Sequence, residues 1–227
     1  MIKTQGYAAQ SATFPLKPWE FERREPASHD IHLEILYCGI CHSDIHRARN
    51  EWLDTRYPIV PGHEIVGRVV EIGDKVTKFK IGDRAAVGAM VGSCLKCDAC
   101  KAGLEQFCKN GFIETFNTFD KNTGSVTYGG YATNIVVSEQ FTLHIPDAFK
   151  DQDLPGIAPL LCAGITTYSP LKYWNIGADK KVGIVGIGGL GHVAVKLAHA
   201  LGANVTAITT TPSKESDATR LGATTSI

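Results

Sequence analysis

Four of the seven cysteines fall in one short stretch, "GSCLKCDACKAGLEQFC", at Cys94, Cys97, Cys100 and Cys108. Thiols this close together pair as disulfides, form a redox couple or hold a metal. An odd total cannot pair completely. A reducing compartment disfavours structural disulfides and turns clustered thiols towards metal or chemistry. The run C-x2-C-x2-C-x7-C therefore reads as a closed four-thiolate zinc site, each sulfur about 2.3 Å from the ion. Iron–sulfur ligation is the nearest rival, because C-x2-C-x2-C also opens some ferredoxin runs. A fully ligated ion leaves no coordination position open, so this site accounts for stability and not for activity.

A second set of ligand-type side chains is dispersed over "CGICHSDIH" (38–46), "PGHEIVG" (61–67) and "LLCAGITT" (160–167). These offer Cys38, Cys41, His42, His46, His63, Glu64 and Cys162. Spacing alone assigns none of them. Cys38 and Cys41 have the separation of a two-thiol knuckle, and a lone His63 or Cys162 is more often a core or surface residue.

The third chemical signal is "GIGGLG", with Gly186, Gly188 and Gly191 in G-x-G-x-x-G spacing and Gly189 and Leu190 between. It lies between an apolar β-branched run, "KVGIVG", and a helical pattern, which is the context a dinucleotide loop requires. Gly186 permits the tight turn, Gly188 lets backbone approach a pyrophosphate at the helix N-terminus, and Gly191 lets helix and strand pack closely. NAD-binding sheets carry an acid at the end of the next strand. Here that place is "TTTPSK", Thr209 to Lys214. Hydroxyls at Thr209, Thr210 and Thr211 and the ammonium of Lys214 favour a 2′-phosphate and hence NADP(H). Thr211 also stands where a helix cap belongs.

The elements that must position these groups divide into two textures. Residues 1–150 read as short strands broken by glycine and proline, of the small barrel or sandwich kind. "DIHLEILYC" (30–38) alternates, with Ile31, Leu33, Ile35 and Tyr37 expected on one side. "EIVGRVVEIG" (64–73) and "KIGDRAAVG" (80–88) follow the same habit, and "GGYATNIVVSEQFTLHIP" (129–146) reads as two strands with a turn near Ser138. After about residue 152 the chain becomes apolar and partly helical. Leu190, Ala194, Leu197, Ala198 and Leu201 share one helical face. Gly202 suits the position past its end, and Pro212 suits the first turn of another helix. Strand–helix–strand–helix begins a doubly wound parallel sheet. The expected domains are 1–152 and 153–227.

The 227 residues carry formal net charge zero, 44% hydrophobic and 20% charged side chains. No basic face points to nucleic acid or anionic membrane. The first residues hold no long apolar core, so no signal peptide is expected. No apolar run reaches the roughly 18 residues of a membrane span, and a cytoplasmic location is expected.

"GHEIVGRVVEIG", "CHSD", the four-cysteine lobe, "LLCAGITTY" and "GIGGLGH", in this order, resemble the zinc-dependent medium-chain alcohol dehydrogenases. The chain is most similar to their cinnamyl alcohol dehydrogenase-type, NADP-dependent aldehyde reductases, over about residues 5–225. The resemblance implies a GroES-like β-barrel-type catalytic domain followed by the first half of a Rossmann sheet. It implies a catalytic zinc held by Cys41, His63 and Cys162, with Glu64 either a transient fourth ligand or a catalytic group near the ion, and the four-cysteine lobe as a structural zinc, two ions per chain. Ser43 and His46 match the family's proton relay. His42 and Ser43 fall near the cofactor, as does Thr166, and Cys38 matches no ligand and is expected to be a buried structural thiol. The implied reaction is hydride transfer between NADP(H) and an aldehyde or primary alcohol, aromatic or medium-chain, in a homodimer. Trp52, Leu53 and Phe112 are candidate pocket walls. The chain stops where a third strand should begin, and is expected to be a truncated form. A partner-binding zinc module without catalysis and a polyol dehydrogenase are the alternatives.

Overall fold

Alternating apolar residues in "DIHLEILYC" form the strand around which the first half of the molecule is built. The computed structural model describes residues 1–227 and divides into two compact units, Met1–Leu161 and Cys162–Ile227. In the first, β1 (Ile2–Ala8) and β2 (Lys17–Arg23) form an antiparallel hairpin. β3 (Asp30–Cys38) leads into the short helix α1 (His42–Ala48), and β4 (Ile65–Ile72) and β5 (Arg84–Val87) follow. β6 (Met90–Gly92), α2 (Asp98–Lys101) and β7 (Ile113–Glu114) enclose the cysteine lobe, and β8 (Phe119–Asp120) and β9 (Ser125–Val126) make a small ribbon. β10 (Asn134–Ser138) and β11 (Leu143–His144) complete an antiparallel five-stranded sheet of order β10-β3-β4-β5-β11. Its outer strands do not pair with each other, so the sheet is open and no barrel is closed.

Ile31, Leu33, Ile65, Val69, Phe79, Ala85, Val87, Ile135 and Val137 form the main core of this unit. Side chains on alternate positions of neighbouring strands meet on one face, which is why four sequence-predicted strands converge there. Tyr37 departs from the expected side. The register shifts between Ile35 and Tyr37, and such a bulge reverses the alternation. Tyr37 turns to the surface, and the next residue, Cys38, packs against the core instead.

The texture change expected near residue 152 lies ahead of the structural boundary. α3 (Leu154–Ile157) and the turn of 3-10 helix after it, Ala158–Leu161, bury Leu154 and Ala158 against Val66, Ala86 and Ile145. That burial keeps the segment with the first unit.

The second unit opens with α4 (Ala163–Tyr173). β12 (Lys181–Val185), α5 (Gly189–Ala200), β13 (Asn204–Ile208), α6 (Glu215–Leu221) and β14 (Thr225–Ser226) then alternate, and the strands form a parallel sheet of order β12-β13-β14. α5 buries Val193, Ala194, Val195 and Ala198, while Leu190, expected on the same face, is exposed. Gly202 takes φ +90° just past the helix and Gly222 +111° past α6, the left-handed conformation that glycine adopts without strain. No helix is long and apolar enough to cross a membrane.

Candidate functional site

The cysteine lobe is local. Cys97 precedes α2, Cys100 lies within it, and Cys94 and Cys108 flank it. One ligand atom from each of the four lies within 4.8 Å of the others. Sulfurs 2.3 Å from a tetrahedral centre stand about 3.8 Å apart. The Cys94–Cys100 and Cys97–Cys100 separations are 3.9 and 3.5 Å, near that edge length and far from a disulfide bond. Backbone N–H groups point at the sulfurs, from Cys94 to Cys108 Sγ and from Cys97 to Cys94 Sγ, each at 3.4 Å. Amide donors stabilise thiolate, and those of Cys100 and then Lys109 hold the Cys97 thiol down to about 6. The donor set fits a zinc ion.

The second group is assembled from distant segments. Cys41 lies at the start of α1, and His63 and Glu64 just before β4. Cys162 is joined by a peptide bond to Leu161, whose helical turn packs on the first unit's sheet. The ligand atoms of Cys41, His63, Glu64 and Cys162 lie within 4.8 Å of one another.

Asp44, which sequence reasoning passed over, organises this group. Its side chain is almost fully buried. Oδ1 accepts the N–H of Gly62 at 2.9 Å and faces His63 Nδ1 at 3.2 Å. Oδ2 accepts the N–H of Cys41 and the hydroxyl of Tyr131, both at 2.9 Å. Burial works against the charged carboxylate, but His63 and the two amides outweigh it and keep the group below its ordinary range. An ionised Asp44 makes His63 Nδ1 the donor and leaves Nε2 with its lone pair for a metal. The signal available was the polar Asp44 inside the first turn after Cys41, where an aspartate either caps a helix or is exposed.

Glu64 is buried, its Oε2 meets no hydrogen-bond partner in the protein, and burial pushes its carboxyl upwards. A buried carboxylate oxygen without a partner is costly, and an adjacent cation answers it. Gly39 makes room for this group, since a Cβ there would lie 1.9 Å from Oε2. The Cys41 thiol lies 3.6 Å from Ser43 Oγ. His46 pairs with Glu51 at the surface and stacks on Trp52 with ring centroids 5.4 Å apart. Trp52, Leu53 and Phe112 are all exposed and none is core. Cys38 is half-buried, and burial pushes its thiol up to about 12.

In the second unit the glycine loop joins β12 to α5. Gly186 takes φ +85°. A Cβ on Gly191 would lie 1.8 Å from the Gly186 carbonyl oxygen, whereas one on Gly188 or Gly189 would meet nothing within 4 Å. The backbone at Gly188 thus lies open at the start of the twelve-residue helix α5, a surface suited to a phosphate. Lys214 donates from Nζ to the Ile187 carbonyl at 2.9 Å, which holds its charge over the same loop. Thr209 Oγ1 accepts the N–H of Thr211 at 3.2 Å. Thr211 precedes Pro212, yet its side chain makes no cap hydrogen bond. Thr166 and Thr210 are exposed, as is His42 in the first unit.

Comparison with known proteins gives consistent matches. The alcohol dehydrogenase GroES-like domain family matches residues 27–147. NADP-dependent alcohol dehydrogenase C 1 of Mycolicibacterium smegmatis is 53% identical over 224 residues, 98% of this chain and 63% of that protein. Aldehyde reductase YahK of Escherichia coli is 51% identical over 222 residues, again 98% and 63%. A solved structure of cinnamyl alcohol dehydrogenase from Sorghum bicolor superposes with a TM-score of 0.94 at 43% identity, covering 99% of this chain and 64% of that one. The chain spans about 63% of the length of these curated relatives.

Proposed function

The chain belongs to the alcohol dehydrogenase GroES-like domain family, and from that premise we propose that the whole protein is a zinc-dependent, NADP(H)-dependent aldehyde reductase or alcohol dehydrogenase. Its proposed substrates are aromatic or medium-chain aldehydes and the matching primary alcohols. The observation that carries this reading is the gathering of two thiols, an imidazole and a buried carboxyl with a partnerless oxygen from dispersed segments.

Cys41, His63 and Cys162 hold the catalytic ion. Three protein ligands leave one position for substrate. The thiolates of Cys41 and Cys162 would offset the double charge of a zinc ion held there. When bound, zinc supplies a Lewis acid for the carbonyl oxygen and NADPH supplies the hydride. Asp44 fixes the imidazole of His63, and Glu64 places a carboxylate beside the ion. Ser43 gives a proton to the substrate oxygen, and His46, held at the surface by Glu51, exchanges protons with solvent.

Gly186, Gly188, Gly189, Leu190 and Gly191 receive the pyrophosphate, with Thr209, Thr210, Thr211 and Lys214 around the 2′-phosphate and His42, Ser43 and Thr166 along the cofactor. Cys94, Cys97, Cys100 and Cys108 hold a second, structural zinc. The relatives' names support this chemistry, NADP-dependent alcohol dehydrogenase in one and aldehyde reductase in another.

The test is purification of the whole protein, zinc counting per subunit, and NADPH absorbance with cinnamaldehyde or benzaldehyde. Two ions per subunit and faster turnover with NADPH than NADH are the expected results. Undiminished turnover by metal-free protein would remove the mechanism. Mass in solution would check the expected homodimer.

A further inference from the structure

We propose that Tyr131 is a positioning residue that sets the zinc affinity of the Cys41–His63–Cys162 centre through its hydroxyl bond to Asp44. The inference rests on the reading of that centre as a zinc site and goes one shell beyond it.

Asp44 is met by four groups. The Cys41 and Gly62 amides and His63 all lie next to or within the ligand segments themselves. Only the fourth, the Tyr131 hydroxyl at 2.9 Å, comes from a separate part of the chain, 87 residues away in sequence. It is the one contact to Asp44 from outside the segments that carry Cys41 and His63. Without it Oδ2 would keep one donor, the Cys41 amide, and the carboxylate could turn about its Cβ–Cγ bond. Rotation would loosen Oδ1 from His63 and with it the direction of the imidazole lone pair.

The surrounding backbone is arranged so that this hydroxyl arrives. Gly129 N–H donates to Val60 O at 2.7 Å, Gly130 N–H to Gly62 O at 2.8 Å and Tyr131 N–H to Pro61 O at 2.9 Å. Three successive amides therefore clamp the strip that delivers His63. Tyr7 N–H closes the other side by donating to Tyr131 O at 2.8 Å. The tyrosine ring lies against Gly62, where a Cβ would stand 2.8 Å from its Cδ1. Gly62 takes φ +102°. This glycine is thus required twice, by its backbone conformation and by the ring that carries the hydroxyl to Asp44. Phenylalanine would keep the ring packing and the amide clamp and remove only the hydroxyl.

The test compares the whole protein with its Tyr131→Phe and Asp44→Asn variants by chelator competition at neutral pH, counting both zinc ions, and by the visible spectrum of the cobalt-substituted centre. Outer-shell partners of a ligating histidine change metal affinity by about ten- to a hundredfold. Tyr131→Phe, one contact further out, is expected to weaken the three-ligand centre by about three- to tenfold, to shift its cobalt bands, and to leave the four-cysteine ion unchanged. The double variant should bind zinc no more weakly than Asp44→Asn alone, because both act along one path. Unchanged affinity in Tyr131→Phe, additive losses in the double variant, or equal weakening of both ions would overturn the proposal. A wild-type protein that takes up only the four-cysteine ion would instead sink the zinc reading beneath it.

Discussion

The two cysteine-bearing sites solve the same problem in opposite ways. In the lobe, all four thiols come from one stretch around α2, and the neighbouring amides already point at the sulfurs. Four thiols converge there, and a tetrahedral ion would be fully enclosed by them. At Cys41, His63, Glu64 and Cys162 the candidate ligands come from three places in the chain, and a separate carboxylate, Asp44, orients one of them. Even then Glu64 Oε2 is left without a partner in the protein. A site closed on itself supplies rigidity. A site that leaves a demand unmet by its own chain is where a reactant can enter.

The sharpest way to break this contrast is to remove one thiol from each site. Cys162→Ser is expected to lower aldehyde reduction by at least about a thousandfold, the loss of Lewis-acid stabilisation of developing negative charge. Its melting temperature should stay within a few degrees of wild type, read by calorimetry beside the NADPH assay. Residual activity of a tenth or more would deny the centre its role. Cys97→Ser should do the reverse, destabilising the protein by about 3 kcal/mol in a urea titration, since loss of a structural metal belongs with the large single-residue effects.

Acidity extends the test. The Cys97 thiol is depressed from 9.0 to about 6 by the Cys100 amide and then that of Lys109. A depressed group stabilises the fold fully above its unfolded value, and that contribution fades as pH falls through the folded one. The lobe should therefore loosen as pH drops through about 6, followed by zinc release into a colorimetric chelator. Lobe zinc retained well below that pH, released only with the other ion, would erase the distinction.

The same difference between local and dispersed decided what could be read from the sequence. The lobe was legible because its ligands share one spacing, and the loop from Gly186 to Gly191 because its glycines follow a β-branched strand and precede an amphipathic helix. For the second centre, residue spacing assigned nothing; the resemblance supplied Cys41, His63 and Cys162 as a set. Asp44 escaped because burial, not residue type, makes it part of the site. Tyr37 was placed on the wrong side because the bulge after Ile35 leaves no mark in the alternation. The open sheet also differs from the barrel the strand pattern evokes, since pairing of the outer strands depends on curvature, which residue alternation does not encode.

The glycine loop repeats the contrast at the scale of single atoms. Gly191 is required by the chain itself, because a Cβ would strike the Gly186 carbonyl at 1.8 Å. Gly188 is required by nothing in the chain: its φ of −115° suits any residue, and a Cβ there meets open space. Gly191→Ala should therefore cost about 1–3 kcal/mol of stability through overpacking. Gly188→Ala should leave stability within about 0.5 kcal/mol and weaken NADPH about tenfold, or about 1.4 kcal/mol. Fluorescence titration with NADPH and a thermal melt on each variant separate the two. If Gly188→Ala binds NADPH normally, the pyrophosphate does not rest there.

The smallest expected effect concerns Lys214. One of its three N–H donors goes to the Ile187 carbonyl, which leaves two for an anion. The side chain is only half-buried, so solvent screens its charge and limits what it contributes to binding. Lys214→Ala should weaken NADPH by about five- to tenfold, roughly 1 kcal/mol, and leave NADH unchanged, because only NADPH carries the 2′-phosphate. The ratio of the two dissociation constants is the readout. If both cofactors weaken together, Lys214 braces the glycine loop through Ile187 and does not read the phosphate. The cofactor preference would then rest on Thr209, Thr210 and Thr211 and on the lack of an acidic side chain at the end of β13.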